Sequence, residues 1–476
     1  MRRNIIRGLF ILIAFAGTVP AANGRENWSL QQCVKYAIEH NISIRQDSLN
    51  ARLAKYTLYQ SQMNVYPQIS ASGGYGRNFG RSVNPTTNQF VDQSYNYVSA
   101  SAVANEVIFS GLQVKNTILK NKYSLYASLA DLDQLKSDVS LNVANQFLAV
   151  LLAYEQIHIS ENQVSLSKVQ LDQTKAFADA GRLPELNVAQ LESQLATDSS
   201  TLINAIANYN ATVLDLKSLL NLDMAEKFDV QIPDVEPTGE LIVANLDPED
   251  IFKTARDHFG SVKSSELKVK SATAGLDAAR GGLYPQISLA GQMGTNWANN
   301  YQSYTYKYDT AAIGVVQNST HDAVLGIEPV AQYSTMPLGR QFSNNFRQLL
   351  SLNVNIPIFN NWQTRYSIKQ SQINLETQRL NQYNTDLTLK QNVYKAHNNA
   401  MNSIEKYKAA KKADAAAIRA LDFAKKRYDL GLTSTVDFLV TQNQAFVAAS
   451  NLIIAKYNLV FNLKVIDYYL GKEIKL

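Results

Sequence analysis

Two stretches of this chain, Leu112–Ala180 and Trp362–Leu430, each run 69 residues without a glycine or a proline. The residues that most readily interrupt a helix are missing over a length that makes a rod of about 100 Å at 1.5 Å per residue. Such a rod cannot bury itself in one compact domain, so it must pack along other rods. Both stretches follow a β-like segment ending in an aromatic residue, Ile108-Phe109 and Ile358-Phe359, and both stop at a glycine, Gly181 and Gly431. The two copies lie 250 residues apart. A second echo, Tyr66-Pro67-Gln68-Ile69-Ser70 against Tyr284-Pro285-Gln286-Ile287-Ser288, is offset by 218 residues. The pattern is that of a tandem duplication whose second copy carries 32 extra residues, within Met293–Phe342.

The first residues read as a secretory signal over 1–24: Arg2, Arg3 and Arg7 are basic, Leu9–Ala16 is apolar, and Ala21-Ala22-Asn23-Gly24 offers a cleavage site. The apolar run is short for a bilayer span. Cys33 follows Gln31-Gln32 rather than small residues, so the mature chain is read as exported and not lipidated. The formal net charge is +5, three of it from the signal arginines, which argues against nucleic acid as a partner. A single cysteine excludes an internal disulfide framework. No later segment reaches 18 apolar residues in a row, so no transmembrane helix is expected. A membrane-spanning form of this chain would have to be a β-barrel.

From Trp28 to about Val65 the sequence is helical, opened by a capping-box pattern at Ser29-Leu30-Gln31-Gln32 and ended by Pro67. Gln68–Val83 and Gln93–Phe109 carry turn and strand residues. In the second copy Leu350, Leu352, Val354, Ile356 and Ile358 alternate with Ser351, Asn353, Asn355 and Pro357. One oily and one wet face is what a membrane barrel requires, although a half-buried soluble strand alternates in the same way. Two strands per copy make four in the chain, and a closed barrel takes about eight. An open sheet in lipid would leave unsatisfied edges, so other copies of the chain must complete it.

The long helices carry a coiled-coil-like stripe: Leu132, Leu135, Val139, Val143, Phe147, Val150 and Tyr154 in one, Val393, Ala396, Ala400, Ile404 and Tyr407 in the other. After each glycine a return helix is expected, over Glu185–Leu222 and Val436–Leu470. Between the copies, Phe228–Asp247 with Pro233, Pro237 and Gly239 reads as an irregular linker. The domain plan is thus a first repeat over 25–227, a linker over 228–247 and a second repeat over 248–476, with mixed α and β structure throughout.

The glycine turns align as Ala180-Gly181-Arg182-Leu183-Pro184-Glu185-Leu186-Asn187-Val188 and Leu430-Gly431-Leu432-Thr433-Ser434-Thr435-Val436-Asp437-Phe438. Taken with the duplication, the opening helix SLQQCVKYAIEHNISIR, the YPQIS strand starts and the Phe109 and Phe359 strand ends, they make the chain resemble the TolC-type outer-membrane efflux proteins. The resemblance covers essentially the whole mature chain. It implies a homotrimer in which four strands per protomer, bounded by Pro67, Phe109, Pro285 and Phe359, complete a shared 12-stranded barrel in outer-membrane lipid. The long helices would form a coiled-coil barrel reaching into the periplasm. The tips Gly181, Arg182, Leu183, Gly431, Leu432 and Thr433 would dock a periplasmic membrane-fusion adaptor that works with an inner-membrane transporter. The implied activity is a passive exit channel of a tripartite efflux or type I secretion system; the alternative is a non-channel periplasmic helical scaffold.

In the family a tyrosine and an arginine of the second repeat bond to an aspartate of the first, and two acidic residues ring the entrance. Matched here, the tyrosine is Tyr428 and the first ring acid is Asp437, but the arginine position holds Thr433, the aspartate position Asn187 and the second ring position Val440. The expectation is a weaker closure by neutral hydrogen bonds, with Asp437 as a single carboxylate ring favouring cations or as an ordinary N-terminal helix acid. The aromatics Trp297, Tyr301, Tyr304, Tyr306, Tyr308 and Tyr333 of the extra segment suit an interfacial girdle or an enlarged extracellular loop, and the polar Gln317–Asp322 favours the loop. Five histidines (His40, His158, His258, His321, His397) show no metal-ligand spacing, and His397 is read as solvated or pore-facing. No nucleophile, phosphate-loop or paired-carboxylate motif is present, so neither an enzyme nor a cofactor is expected. Drugs, metal ions, dyes and proteins all remain open as cargo.

Overall fold

A computed structural model of the chain describes residues 27–84, 87–233, 236–237, 246–317, 321–472 and 474. The expected signal over 1–24 and Gly239 of the linker lie outside them. The first half runs β1 (Asn27–Trp28), α1 (Leu30–His40), α2 (Ile42–Met63), β2 (Gln68–Asn78), β3 (Arg81–Val83), β4 (Phe90–Asp92), β5 (Tyr95–Ser110), α3 (Gln113–Asp179), α4 (Glu185–Leu220) and β6 (Asp229–Val230). The second runs α5 (Pro248–His258), α6 (Gly260–Gly281), β7 (Gln286–Ala298), β8 (Gln302–Val315), β9 (Ala323–Thr335), α7 (Leu338–Asn344), β10 (Arg347–Asn355), α8 (Gln363–Asp429) and α9 (Thr435–Tyr469).

Each long helix, α3 and α8, is 67 residues of uninterrupted α-helix. Both are entered through two consecutive residues in the left-handed region, Gly111 and Leu112 before α3 and Asn361 and Trp362 before α8. The opening helix differs from expectation, because it is two helices. Asn41 takes an extended conformation (φ −61°, ψ 128°) and its Oδ1 accepts from the amides of Ser43 and Ile44, ending α1 and starting α2 in one residue. The capping box at Ser29 and Gln32 is present. The linker is also less irregular than its prolines suggested, since Asp229–Val230 pairs in parallel with Asn27–Trp28. A further correction concerns Phe359. The strand β10 stops at Asn355, and Phe359 lies beyond it, because Pro357 has no N–H to donate to a ladder.

The chain divides into two compact units, each drawing on both sequence halves. One comprises 1–45, 135–255 and 392–476; the other comprises 46–134 and 256–391. In the first, a helical core is built from Val143, Phe147 and Leu151 of α3, Leu216 and Leu220 of α4, and Leu459, Leu463 and Ile466 of α9, all buried. Cys33 of α1 is fully buried there, and burial pushes its thiol up to about 12. The helix α9 is long and apolar enough, by length and composition, to cross a membrane, and most of its apolar stretch is not buried within the chain. No continuous apolar run announces it, because Gln442, Asn443 and Gln444 interrupt the pattern.

The second unit holds a four-stranded antiparallel sheet in the order β10-β7-β5-β2. Between β2 and β5 the chain makes only the short β3–β4 hairpin; between β7 and β10 it makes the long β8–β9 hairpin and α7. The backbones of the sheet and the helices meet closely at Gly111. A Cβ there would lie 2.4 Å from the carbonyl oxygen of Gly281, and one on Gly281 would lie 2.8 Å from that of Gly111. Only glycine fits at either place.

Candidate functional site

The period-two alternation gives the sheet two chemically opposite faces. Reading across the paired strands, one face presents Tyr75, Val98 and Trp297, then Gly73, Ala100 and Thr295, then Ala71, Ala102, Met293 and Gln348. It continues with Ile69, Ala104, Gly291 and Leu350, then Glu106, Leu289 and Leu352, and closes on Phe109, Ile287 and Val354. The face is apolar along its middle rows, with aromatic residues in both terminal rows and its one carboxylate, Glu106, next to the helix-side end. The reverse face is mainly polar, with Ser70, Ser72, Ser99, Ser101, Asn105, Ser288, Gln292, Asn296, Ser351 and Asn353, and it also carries Arg347 and the apolar Val103 and Leu349. There the hydroxyls of Ser72 and Ser101 bond to each other at 2.8 Å. Pro67 and Pro285 each lie one residue ahead of β2 and β7, at the helix-side end of the sheet.

The strands β2 and β10 are the two edges of this sheet. The helix joined to each edge carries a row of exposed apolar residues seven apart. On α2 these are Ile42, Leu49, Tyr56 and Met63; on α8 they are Tyr366, Ile373, Leu380, Leu387 and Tyr394. A heptad of large apolar side chains is a coiled-coil seam, and neither row is buried within the chain.

In the other unit the two glycine turns have the same hydrogen bonds. Gly181 (φ +68°) donates to Ala178 and Arg182 donates to Phe177; Gly431 (φ +73°) donates to Tyr428 and Leu432 donates to Arg427. These are paired Schellman caps, and the left-handed backbone accounts for the glycine in each. A Cβ on either glycine would meet nothing within 4 Å, so both turns are open to the outside. Arg182 lies 4.6 Å over the Phe177 ring, Leu432 is exposed, and Leu183 and Thr433 are half-buried.

Of the gate residues, Tyr428 is buried and stacked on Phe438 with ring centroids 4.9 Å apart. Its hydroxyl is within bonding distance of two threonine hydroxyls, Thr174 at 3.0 Å and Thr435 at 3.3 Å. These, rather than Asn187, are the partners the structure gives it. Asn187 sits half-buried in the first turn of α4, its amide donating to the Pro184 carbonyl. Asp437 is exposed in the first turn of α9, where its carboxylate accepts from the Ser434 hydroxyl at 2.7 Å and its amide donates back to that oxygen. Val440 is exposed on the same helix. His397, expected to be solvated or pore-facing, is half-buried, and its Nε2 is shielded from solvent within the chain with no hydrogen-bond partner.

One cluster was missed in the sequence. On α3 the residues Ser160, Gln163, Ser167, Gln170 and Thr174 are all buried at 3-4-3-4 spacing. Gln163 and Ser167 donate to Oδ2 of buried Asp198 on α4, and Gln194 donates to its Oδ1 at 2.8 Å. Gln442 of α9 donates in turn to Ser167 at 3.0 Å. The helices are held by polar contacts here, where the stripe Leu132–Tyr154 holds by apolar ones. The signal lay in the 3-4-3-4 spacing of these polar residues, the same alternation that marks the apolar stripe.

A sheet with one oily and one wet face, joined in sequence to long helices with exposed apolar rows, is the arrangement that a membrane barrel requires. The sequence profile described as "Outer membrane efflux protein" matches residues 34–222 and 253–472, and the chain belongs to that family. It is similar to outer membrane protein TolC of Salmonella enteritidis, 21% identical over 446 residues, covering 93% of this chain and 82% of that protein. It is also similar to outer membrane efflux protein BepC of Brucella suis, 22% identical, covering 97% of this chain and 90% of that protein. The crystal structure of the Campylobacter jejuni CmeC outer membrane channel shares the fold, with a TM-score of 0.73 at 18% identity over 93% of this chain and 85% of that one. The chain is therefore an efflux channel protein of the outer membrane.

Proposed function

We propose that three copies of this chain close a 12-stranded barrel through lipid and a helical duct beneath it, forming a passive exit channel. The observation that carries this reading is the sheet itself, oily on one face, wet on the other and unpaired at β2 and β10. In lipid those edges must be paired, because each unsatisfied amide costs several kcal/mol. All three pairings within this sheet are antiparallel. Joining β10 of one protomer to β2 of the next continues that alternation and closes a ring with an even number of strands. The same join brings the α8 heptad row of one protomer beside the α2 row of the next.

The wet face lines the passage. Its serines, asparagines and glutamines are neutral, Arg347 adds one positive charge per protomer, and energy comes from a transporter in the inner membrane. The turns at Gly181 and Gly431 dock the periplasmic adaptor of that transporter, and their open surroundings and matching geometry suit a repeated contact. Tyr428, bonded to threonine hydroxyls, holds the entrance weakly, and Asp437 places one carboxylate per protomer at it. The repeats 25–227 and 248–476 derive from one ancestral hairpin set, in keeping with matching left-handed residues and Schellman caps 250 positions apart.

Leu380→Glu combined with Leu387→Glu tests the join. The variant is expected to yield a chain that folds but no longer assembles or conducts ions in a planar bilayer, while the parent gives stepwise conductance. A double variant that assembles and conducts like the parent would remove the α8 seam from the account.

A further inference from the structure

The β8–β9 hairpin is itself two-faced. Thirteen of the 14 residues of β8 pair with β9 from Gln302↔Thr335 to Val315↔Ala323, with Ile313 bulged out, a ribbon of about 45 Å at 3.4 Å per residue. One face carries Tyr304, Tyr306, Tyr308, Tyr333, Ile327 and Leu325, every one of them exposed. On the other face Thr305 lies opposite Gln332, Lys307 opposite Val330, and Asp309 opposite Glu328. Burying three charged side chains would be costly, so the charged face is the solvated one and the aromatic face is the one that lacks a partner.

The root of the ribbon is fixed. Gln341 of α7 is buried, and its side-chain amide both accepts from the Ala298 N–H at 3.0 Å and donates to the Ala298 carbonyl at 2.9 Å. It donates as well to the Met336 carbonyl at 2.8 Å. The amide thus continues the ladder along β7 past the start of β10 and ties the exit of the ribbon to its entry. Thr295 and Asn345 add bonds to Phe342 and Asn296.

Lipid does not cover the aromatic face. The apolar rows from Ile287 to Trp297 already fill the roughly 25 Å band of an outer-membrane barrel, and the ribbon begins beyond Ala298, past the aromatic row. Nor does edge-to-edge strand addition explain it, because Pro329 interrupts the β9 edge. Twelve strands about 4.8 Å apart and tilted about 40° enclose a radius on the order of 12 Å. The ribbon is several times longer than that, long enough for a copy lying across the mouth to reach the axis.

Resting on the trimer reading above, we infer that the aromatic faces of the three β8–β9 ribbons pack against one another at the threefold axis, forming a dry three-sided cap over the outer mouth. The occupant of each face is a second copy of this chain. Three copies are present at equal stoichiometry, their roots are clasped at equivalent places, and three two-faced ribbons close a prism with every aromatic face inward and every charged face in water.

The test uses the full chain, whose only cysteine, Cys33, is buried. Ile327→Cys and Leu325→Cys place thiols on the aromatic face, and Lys307→Cys places one on the polar face. Each variant is treated in intact cells with a short bis-maleimide, and the native mass of the extracted particle is measured in parallel. The expected result is chain-to-chain crosslinking for Ile327→Cys and Leu325→Cys, none for Lys307→Cys, and a three-chain particle throughout. A three-chain particle without crosslinks at either aromatic position, or with crosslinks to a different protein, would overturn the cap and leave the trimer standing. A one-chain particle would remove both.

Discussion

Thr174 of α3 and Tyr428 of α8 lie 254 positions apart and share a 3.0 Å hydrogen bond in a buried setting. The bond joins the two halves of the duplication beside the second glycine turn. It is a contact between neutral hydroxyls, worth about 1 kcal/mol, where an ionic pair would bind more strongly.

Tyr428→Phe deletes that hydroxyl and leaves the Phe438 stack in place. The expected loss is about 1 kcal/mol of local stability together with a larger resting conductance in a planar bilayer. An unchanged conductance would show that the Tyr428 bonds do not hold the entrance.

Gly431→Trp puts a large side chain where a Cβ meets nothing within 4 Å. Assembly should survive, with a backbone cost of about 1–2 kcal/mol for the left-handed conformation, while adaptor docking and export are lost. Normal export by a trimeric Gly431→Trp variant would sink the docking role of the turn.

Gly111→Ala forces a methyl to within 2.4 Å of the Gly281 carbonyl oxygen. We expect it to destabilise the chain by roughly 1–3 kcal/mol, read by thermal unfolding. Gly291→Ala, where a Cβ has open space, serves as the control and should unfold with the parent.

Asp198→Ala removes the acceptor shared by Gln163, Ser167 and Gln194. Leaving the buried donors Gln163 and Ser167 and the half-buried Gln194 without it should cost on the order of 3 kcal/mol, and Asp198→Asn, which retains one oxygen, should cost less. Equal thermal stability of all three proteins would mean that the polar seam contributes nothing to helix packing.

The Cys33 thiol, pushed by burial up to about 12 from an ordinary 9.0, should resist alkylation in the folded protein at pH 8 and react on denaturation. Because the folded-state value is the raised one, its contribution to stability is complete below pH 9 and declines as pH rises from there toward 12. Rapid labelling of the folded chain would contradict the buried placement of α1.

Much of this architecture was legible in residue spacing. Absence of glycine and proline marked α3 and α8 to within a residue at each end, because these are the residues that most readily interrupt a helix. The return helices and the YPQIS strand starts were legible for the same local reason. The break at Asn41 was not, since an asparagine that caps one helix while ending another leaves the helical stripe intact. The end of β10 at Asn355 was misread because the alternation runs on through Ile356 and Ile358, and only the missing N–H of Pro357 cuts the ladder. Tyr428 was picked out by its position before Gly431, yet its partners Thr174 and Thr435 depend on how the helices face each other, which no local pattern states. The Asp198 cluster stayed hidden because its stripe is polar, and an apolar stripe was the one sought.

The central claim is that the open edges of β2 and β10 are closed by other copies of the chain. The most direct measurement is the native mass of the protein extracted in mild detergent from an outer-membrane fraction. The account predicts a particle of three chains. A single chain recovered from the soluble periplasm would mean that the four strands never close a barrel.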